Sequence, residues 1–366
     1  MESIKEQLKI LKNYLDENKI LYKYNHYVKY ETYFKQGGLV KLFIAPQDYT
    51  KFKNIILFLN NQFIDYKVLG FTSNIIMFDE IIYSVVVSTK NLTALEVENN
   101  KIKVDAGYAL QDLVRVAILN QSIGYEGLEG IPASVGGSIF MNAGAYGFQI
   151  ADNLVSVECI NDKNELQIFD KDDCKFSYRN SIFMNKKLII LRAIFSLKKG
   201  NKKTIEKNVE TFHIARHLYQ DFVYPNLGSM ISINQDIYKI IFQKDPLYYA
   251  VYMLFKYTFK NPISKFFLRK KPNNRIFNWL LYKYLNNKLN IKLKYSSSIK
   301  SANILINDGT LDSEEIVSYM FLISKLVGKD WHIENELILN PMYSVDSEFK
   351  KVYKSLKNKQ EKVRNK

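Results

Sequence analysis

The segment from Gly124 to Gly147 constrains the fold of this chain more than any other. It reads GYEGLEGIPASVGGSIFMNAGAYG and holds seven of the 15 glycines of the protein. Glycine allows positive φ and lets the main chain approach a ligand closely. We predict that Ile131-Pro132 and the run Ser134–Gly137 present bare N–H groups and a hydroxyl to a diphosphate. The alternative is a glycine-rich surface loop without a ligand, which the small residues 142–145 argue against.

The stretch GIPASVGGSIFMNAGAYG resembles the flavin-binding signature of the UDP-N-acetylenolpyruvoylglucosamine reductase family. That family belongs to a wider FAD-binding superfamily that includes vanillyl-alcohol oxidase. The resemblance runs from about Tyr30 to Asn340, with one poorly matching insert. It implies an α+β (mixed α/β) fold, in which a two-subdomain FAD-binding domain of the PCMH type precedes a C-terminal α+β substrate domain.

The resemblance also implies a reaction and its cofactors. The family uses FAD and NADPH to reduce UDP-N-acetyl-3-O-(1-carboxyvinyl)-glucosamine to UDP-N-acetylmuramate, a step of peptidoglycan precursor synthesis. Two alternatives stay open. One is a related FAD oxidoreductase acting on another sugar nucleotide or surface-polysaccharide precursor. The other is a non-catalytic paralogue that serves as a binding or scaffold protein.

Two groups of residues are expected to contact the FAD. The turn Gly70, Ser73 and Asn74 is similar to the Gly-x-x-Ser-Asn turn of the family. The second group lies in the main signature and comprises Ile131, Pro132, Ser134, Gly136, Gly137, Asn142, Ala143 and Gly144. Tight turns with free N–H groups bind diphosphate, and an asparagine side chain can hold a turn or face the flavin ring.

Three residues match the catalytic positions of the family. Arg179, in FSYRNSIF, corresponds to its Tyr-Arg-x-Ser motif and would polarise the substrate carboxylate. Ser229, in YPNLGSM, corresponds to its general acid. Glu336, in WHIENELI, corresponds to its catalytic glutamate and would stabilise the enolate. Tyr178 and Asn226 are expected to contact the substrate. Without the family, Arg179 would be an ordinary surface or salt-bridge arginine and Ser229 a turn residue, whereas a catalytic role and a surface role would be about equally favoured for Glu336.

The sequence departs from the family pattern at three places. Phe71 and Thr72 stand where the family has further glycines, and Ile338 stands where it has an arginine. The Phe-Lys-Asn-Pro run expected after the general acid is replaced by Met230-Ile231-Ser232-Ile233. These changes keep the identity of the substrate open.

Hydrophobic periodicity predicts the order of helices and strands. We predict helices at 3–22, 48–62, 110–120 and 205–217, a hairpin turn at Asn99-Asn100, and a late helix that begins at Asp312 or Ser313. The predicted domains are an N-terminal helix (1–24), an FAD-binding domain with two α/β subdomains (25–200), a substrate domain (201–345) with an insert (234–274), and a basic tail (346–366).

The insert contains an apolar run at 247–255 that is flanked by lysine and arginine. We predict an additional helix packed on the substrate domain, because apolar runs usually end in cores. The alternative is an interfacial or partner-binding helix, with a weak membrane-surface or protein contact through residues 247–271.

The charge of +15 (52 Lys and Arg against 37 Asp and Glu) indicates a preference for anionic partners. A UDP-sugar substrate and dinucleotide cofactors account for part of it, and no nucleic-acid motif accompanies it. His213 and His217 have helical i,i+4 spacing, but no further ligands complete a metal site, so we expect no metal.

The cellular location follows from other features. Cys159 and Cys174 are the only cysteines, which is typical of reduced thiols in a cytoplasmic protein. The start of the chain lacks the apolar core of a signal peptide. No apolar stretch is close to the length of about 20 residues that a membrane-spanning helix needs. We expect a cytoplasmic monomer.

Overall fold

The computed structural model describes residues 2–233, 235–260, 274–289, 297–328, 332–333 and 335–338. Contacts divide the chain into two compact units. The first unit comprises Met1–Thr32, Gly38–Ser73 and Ile81–Leu218, and the second comprises Tyr33–Gly37, Asn74–Glu80 and Tyr219–Lys366. The predicted basic tail at 346–366 and the basic stretch of the insert at 261–273 lie outside the described residues.

The helices in the described part of the chain are α1 (Glu2–Glu17), α2 (Tyr49–Asn61), α3 (Leu110–Leu119), α4 (Val135–Phe140), α5 (Ile182–Asn185), α6 (Lys202–Tyr219), α7 (Ile237–Phe242), α8 (Pro246–Lys260), α9 (Arg275–Leu289) and α10 (Ser313–Val327). Short 3₁₀ turns occur at Val28–Tyr30, Glu126–Leu128 and Ile150–Asp152.

The strands are β1 (Leu21–Tyr27), β2 (Leu39–Ala45), β3 (Lys67–Leu69), β4 (Ile75–Met77), β5 (Tyr83–Ser88), β6 (Leu95–Glu98), β7 (Lys101–Asp105), β8 (Gly144–Ala145), β9 (Phe148–Gln149), β10 (Leu154–Ile160), β11 (Leu166–Asp170), β12 (Ile189–Ser196), β13 (Asn226–Ser229), β14 (Ile231–Ser232), β15 (Ser297–Ser298), β16 (Ser301–Ile306), β17 (His332–Ile333) and β18 (Glu336–Ile338).

The described part of the first unit contains two larger sheets and the two-stranded pair β8-β9. In the first sheet, of order β1-β2-β5-β3, strand β1 is antiparallel to β2, and the other neighbours are parallel. Helix α2 follows β2 and precedes β3, as in a β-α-β unit. The second sheet has the order β11-β10-β12-β7-β6 and is antiparallel throughout. Both larger sheets lie within one unit, and the division of this unit into two α/β subdomains stays a prediction.

Helix α1 packs into the core of the first sheet rather than standing alone. Leu11 and Leu15 are fully buried in the cluster formed by α2, β2 and β5. The helix ends at Glu17, earlier than the predicted residue 22, because the chain turns at Lys19 (φ 51°) and β1 pairs with β2. The leucine spacing predicted the helix. The strand that follows forms only because β2 supplies its hydrogen-bond partners, so the helical pattern did not reveal it.

Helix α2 shows why the local sequence folds as it does. The side chain of Asp48 caps it by accepting a hydrogen bond from the Lys51 N–H at 2.8 Å. Its inner face buries a row of apolar side chains at helical spacing: Phe52, Ile55, Ile56 and Leu59. Between β6 and β7, Asn99 and Asn100 have φ of 51° and 58°, which confirms the predicted two-residue hairpin turn.

The second unit combines helices with short strand pairs. Strands β13, β16 and β15 form an antiparallel sheet, β14 pairs with β17, and β18 runs parallel to β4. Helix α10 is opened by a capping box, in which Asp312 and Glu315 each accept the other's backbone N–H. This confirms the predicted start of the helix.

The predicted additional helix of the insert is α8, and it packs on the helices beside it. Tyr252 is fully buried, with its ring centroid 5.7 Å from that of Phe242 and 5.3 Å from that of Phe277. Leu247, Leu254 and Tyr257 of the same helix remain exposed. Within the described ranges, no helix is long and apolar enough to cross a bilayer.

Candidate functional site

The glycine-rich signature folds as a turn that leads into helix α4 in the first unit. Ser134 is the N-cap of α4, and its Oγ accepts a hydrogen bond from the Gly137 N–H at 3.3 Å. The Val135 N–H donates to the Tyr108 carbonyl at 2.9 Å, and the Gly136 N–H donates to the Ala106 carbonyl at 2.8 Å. The predicted row of bare N–H groups at 135–137 is therefore wrong, because the residues just after β7 supply acceptors for Val135 and Gly136, and the Ser134 hydroxyl supplies one for Gly137.

The turn at Gly70 lies directly against the signature. A Cβ atom added at Gly70 would lie 2.2 Å from the Ser134 Oγ, so only glycine allows this approach. Within the first unit, the two groups of residues predicted to contact FAD are thus adjacent, since Gly70 of one group lies against Ser134 of the other. Asn74, the last residue of the predicted turn, belongs to the second unit.

Asn142 joins the end of the signature to the loop that carries Arg179. It is 2% exposed and has φ of 44°, in the left-handed region. Its Nδ2 donates to the Gln149 side chain at 2.8 Å and to the Ser177 carbonyl at 2.9 Å. Its Oδ1 is shielded from solvent and accepts no hydrogen bond from the described residues. A buried acceptor without a donor is costly, which makes this atom a candidate for contact with a ligand.

Tyr178 and Arg179 form the tip of a tight turn. Ser177 and Asn180 exchange backbone hydrogen bonds across it, at 3.1 Å and 3.2 Å. Arg179 has φ of 51°, which a residue with a side chain adopts at a cost of about 1–3 kcal/mol. Such strain is common at functional sites.

The guanidinium group of Arg179 is held at the signature. Its Nη2 donates to the Gly144 carbonyl at 2.9 Å, and its carbon atom Cζ lies 5.2 Å from the centre of the Tyr178 ring. Ser181 fixes the same loop by donating to the Phe140 carbonyl at 2.7 Å. The structure therefore brings Arg179, Tyr178, Asn142 and Gly144 together in the first unit.

The other two predicted catalytic residues belong to the second unit. Ser229 ends strand β13 at an exposed position and makes no hydrogen bond through its hydroxyl in the described ranges. Glu336 begins strand β18, where its main chain pairs with Ile75 of β4. Asn335, buried and adjacent to Glu336, donates to the Asn74 Oδ1 at 3.0 Å and to the Leu227 carbonyl at 3.2 Å. Asn335 thus connects the chain around Ser229, Glu336 and Asn74.

Asn226, predicted to bind substrate, has its side chain engaged in its own loop. Its Nδ2 donates to the Asp221 carbonyl at 2.7 Å and the Tyr224 carbonyl at 3.1 Å, and its Oδ1 accepts from the Gly228 N–H at 3.2 Å. These bonds shape the turn that delivers Ser229. Gly228 has φ of 70°, which glycine adopts without strain.

Sequence reasoning missed two further residues that lie beside the signature, Glu129 and Arg216. Arg216, on helix α6, lies next to Gly130: a Cβ atom added at Gly130 would be 2.9 Å from its Nε. Phe212, on the same helix, stacks on Tyr146 with ring centroids 4.8 Å apart. Phe212 and Arg216 have i,i+4 spacing, so the sequence indicates that they share one face of helix α6. It does not indicate that this face packs against the signature.

His213 and His217 are neighbours on α6, with their Nε2 atoms 3.1 Å apart. The Nδ1 of His213 lies 3.6 Å from the Glu129 carboxylate. In the part of the chain that the structure describes, no group of three metal-ligating side chains comes together. Cys159 and Cys174 are buried, free thiols.

Three comparisons identify known proteins to which this chain is similar. A family model described as an FAD binding domain matches residues 40–169. The residues present fit such a group, since the signature combines a close approach of two turns with a buried acceptor at Asn142 and buried donors at Arg216 that lack partners among the described residues.

Relatives share the sequence over larger parts of the chain. A UDP-N-acetylenolpyruvoylglucosamine reductase from Fervidobacterium nodosum is 40% identical over 200 residues, which is 54% of this chain and 64% of that protein, slightly less than two thirds of its length. The enzyme of the same name from Caldanaerobacter subterraneus subsp. tengcongensis is 34% identical over 250 residues, which covers 68% of this chain and 76% of that protein.

A solved structure shows the same fold. The UDP-N-acetylenolpyruvylglucosamine reductase from Thermus caldophilus superposes with a TM-score of 0.59, at 20% identity, over 87% of this chain and 98% of that chain. At this level of identity the similarity supports the arrangement of helices and strands. The mixed α and β architecture expected from the sequence is confirmed.

Proposed function

This chain belongs to the UDP-N-acetylenolpyruvoylglucosamine reductase family, and from that premise we propose that it reduces UDP-N-acetyl-3-O-(1-carboxyvinyl)-glucosamine to UDP-N-acetylmuramate with NADPH. The observation that carries the proposal is the relative of that name from Caldanaerobacter, which aligns over 76% of its own length. Bound FAD would supply the hydride-transfer chemistry that links NADPH to the vinyl group of the substrate. The chain is then an FAD-dependent oxidoreductase of peptidoglycan precursor synthesis.

Arg179 binds and polarises the substrate carboxylate in this proposal. Its guanidinium remains charged and offers several donors in one plane. One donor anchors it to the Gly144 carbonyl at 2.9 Å, which orients the group without using all its donors. Negative charge that develops next to the carboxylate is then stabilised by a cation already in position.

Ser229 and Glu336 complete the chemistry. Reduction of the vinyl group needs hydride at one carbon and a proton at the other. Ser229 supplies the proton at C2, and Glu336 stabilises the enolate that precedes protonation. The residues that hold them, Asn226 and Asn335, set the position of the main chain around each. Placement of the hydroxyl matters more than its acidity, since serine is a poor acid in water.

A second candidate function is supported by the residues after Ser229. Met230 and Ile231 are 0% and 1% exposed, and Ile231 lies in strand β14. The first two positions of the run that contains a lysine in the family are thus filled here by apolar side chains that pack inward. A related reductase acting on another sugar nucleotide or surface-polysaccharide precursor would account for this change. The scaffold alternative is weakened by the presence of all three catalytic residue types.

The partners and location follow from the same proposal. The UDP-sugar is the small-molecule partner, FAD and NADPH are the cofactors, and the cytoplasm is the expected compartment. We expect the protein to be a monomer, which light scattering of the purified protein would establish. Contact of residues 247–271 with a membrane surface or a protein remains the alternative for the insert.

Absorption spectroscopy of the purified protein tests the proposal. We expect a flavin spectrum that NADPH bleaches under anaerobic conditions and that the enolpyruvyl substrate restores. UDP-N-acetylglucosamine, which lacks the enolpyruvyl group, is the matched control and should restore nothing. Bleaching without recovery by the enolpyruvyl substrate would favour the second candidate. Protein that takes up no FAD would contradict both reductase functions.

A further inference from the structure

Arg216 carries a buried charge with no assigned role. The residue is 7% exposed, and in the described ranges it is the one lysine or arginine in the buried class. Its Nε and Nη2 are shielded from solvent and have no hydrogen-bond partner among the described residues. These two nitrogens lie on the same edge of the guanidinium group and present two parallel donors.

The neighbours of Arg216 do not neutralise it at close range. The Tyr146 ring centre lies 5.5 Å from its Cζ, and Gly130 is the residue against its Nε. The Glu129 carboxylate also attracts Arg216, and it lies 3.6 Å from the His213 Nδ1 and 4.0 Å from the Arg115 Nη2. Burial lowers the pKa of Arg216, although attraction by Tyr146 and Glu129 opposes the shift.

A buried cation without an acceptor is costly, so a chain that retains one usually supplies an acceptor in its functional state. Solvent does not serve here, since neither nitrogen is exposed to it. The signature itself has little to offer an anion, because the N–H groups of Val135, Gly136 and Gly137 already have acceptors. An anionic group bound beside this segment therefore needs a donor from another element.

We propose that Arg216 binds the FAD through its Nε–Nη2 edge, at an electron-rich pair of atoms on the cofactor. Two parallel donors match two oxygens of the diphosphate, and they match equally the N1–C2=O edge of the flavin ring. This inference rests on the proposed FAD cofactor and adds to it a residue from outside the signature. Helix α6, which carries Arg216, then becomes part of the cofactor site.

The test measures binding of FAD to the apoprotein, not turnover. We compare wild type with Arg216→Gln and Arg216→Lys, and we follow the quenching of flavin fluorescence. Loss of a charge-assisted hydrogen bond predicts about 10- to 100-fold weaker binding for Arg216→Gln. Arg216→Lys keeps the charge but not the paired donors, so its affinity should lie between the two. Arg115→Gln, an exposed arginine that also lies near Glu129, is the control and should bind FAD as wild type does.

Two further probes identify the acceptor. If Arg216 binds the diphosphate, Arg216→Gln should also weaken binding of ADP and leave the midpoint potential of the bound flavin unchanged. If it binds the N1–C2=O edge, the variant should weaken binding of riboflavin, and the potential should become more negative, because a positive charge there favours the reduced flavin. Either pattern supports the proposal.

Unchanged FAD affinity together with an unchanged potential would overturn it, and a lower Tm of the Arg216→Gln apoprotein would then assign Arg216 to packing against Tyr146.

If the variants do not fold, the wild-type protein still answers the question. The ¹⁵N resonance of the Arg216 Nε should shift when FAD is added, and a resonance that does not respond would overturn the proposal. Wild-type protein that binds FAD but does not reduce the enolpyruvyl substrate would contradict the proposed function instead, and leave this test intact.

Discussion

At the scale of single residues, Ser229 offers the most direct test of the proposed chemistry. Its hydroxyl stands at the exposed end of β13, without a hydrogen bond in the part of the chain that the structure describes. Ser229→Ala should leave reduction of the flavin by NADPH close to wild type and slow reoxidation by the enolpyruvyl substrate by about 10²- to 10⁴-fold. Stopped-flow absorption separates the two half-reactions. A variant slow in the first half-reaction would require another role for Ser229.

Gly137 tests whether a ligand approaches the signature. A Cβ atom added there would meet only the Ser134 Oγ, at 3.1 Å, so the protein itself accommodates a small side chain once this hydroxyl shifts by a few tenths of an ångström. Gly137→Val should nevertheless yield colourless protein, because the larger side chain would stand where the cofactor approaches. Gly137→Ala is the graded control and should retain part of its FAD, as measured by the ratio of flavin to protein absorbance. Full FAD content in the valine variant would place the cofactor elsewhere.

Residue identities in the signature were predictable, whereas their hydrogen bonds were not. Glycine spacing and small residues indicate a close approach of main chain. Which N–H groups remain free depends on the carbonyl acceptors of Ala106 and Tyr108. These residues lie outside the signature in the sequence, so no pattern within the signature reveals them. The same holds for Arg216, whose burial against Gly130 is a tertiary contact.

At the scale of elements, helix α8 gives a matched pair of tyrosines. Tyr252 is fully buried and donates to the Asp236 side chain at 2.7 Å, whereas Tyr257 is 67% exposed. Tyr252→Ala should lower the free energy of unfolding by about 3–5 kcal/mol, as for other large aromatic truncations in cores. Tyr257→Ala should change it by less than about 0.5 kcal/mol. Urea denaturation measures both, and equal effects would contradict the packing of α8 described above.

Long, strongly periodic elements were predicted well, and short ones were not. Helices α2, α3 and α10 begin within a few residues of their predicted starts, because caps and apolar faces are local signals. The two-residue strands β8, β9, β14, β15 and β17 carry no such periodicity. They exist because a partner strand supplies hydrogen bonds, which a single segment of sequence does not reveal.

At the scale of the whole molecule, Asp221 links stability to acid. Burial would raise the pKa of its carboxyl group, but hydrogen bonds from Ser298 at 2.6 Å and from the Val223 N–H at 2.9 Å outweigh burial, and the net pKa is lowered. A pKa lower in the folded than in the unfolded state stabilises the fold above the unfolded value of about 3.9. That contribution is lost as pH falls through the folded pKa.

Asp221→Asn should therefore destabilise the protein at pH 7 by about 1–3 kcal/mol, and by less at pH 3. Thermal unfolding across this pH range measures the difference. Asp162→Asn, at an exposed turn position, is the control. A constant effect of Asp221→Asn from pH 7 to pH 3 would mean that the carboxylate charge contributes nothing.

The division of the molecule into units was only partly predictable. The sequence indicated a long FAD-binding region followed by a second domain, but α6, apart from its last residue Tyr219, belongs with the first unit rather than the second. The segments Tyr33–Gly37 and Asn74–Glu80 belong with the second unit, although both lie early in the chain. Domain boundaries predicted from composition divide the sequence into continuous segments, whereas each of these units is assembled from several separate segments.

Strand β4 has a particular consequence for how the protein is made. It pairs with β18, and Ile75 lies opposite Glu336 in the register of the two strands. The ribosome therefore adds the partner of β4 some 260 residues later. The first unit has received all its residues once Leu218 is synthesised. A nascent chain should therefore complete one half while three residues of β4 still await their neighbour, and the slow step of maturation should be this late pairing.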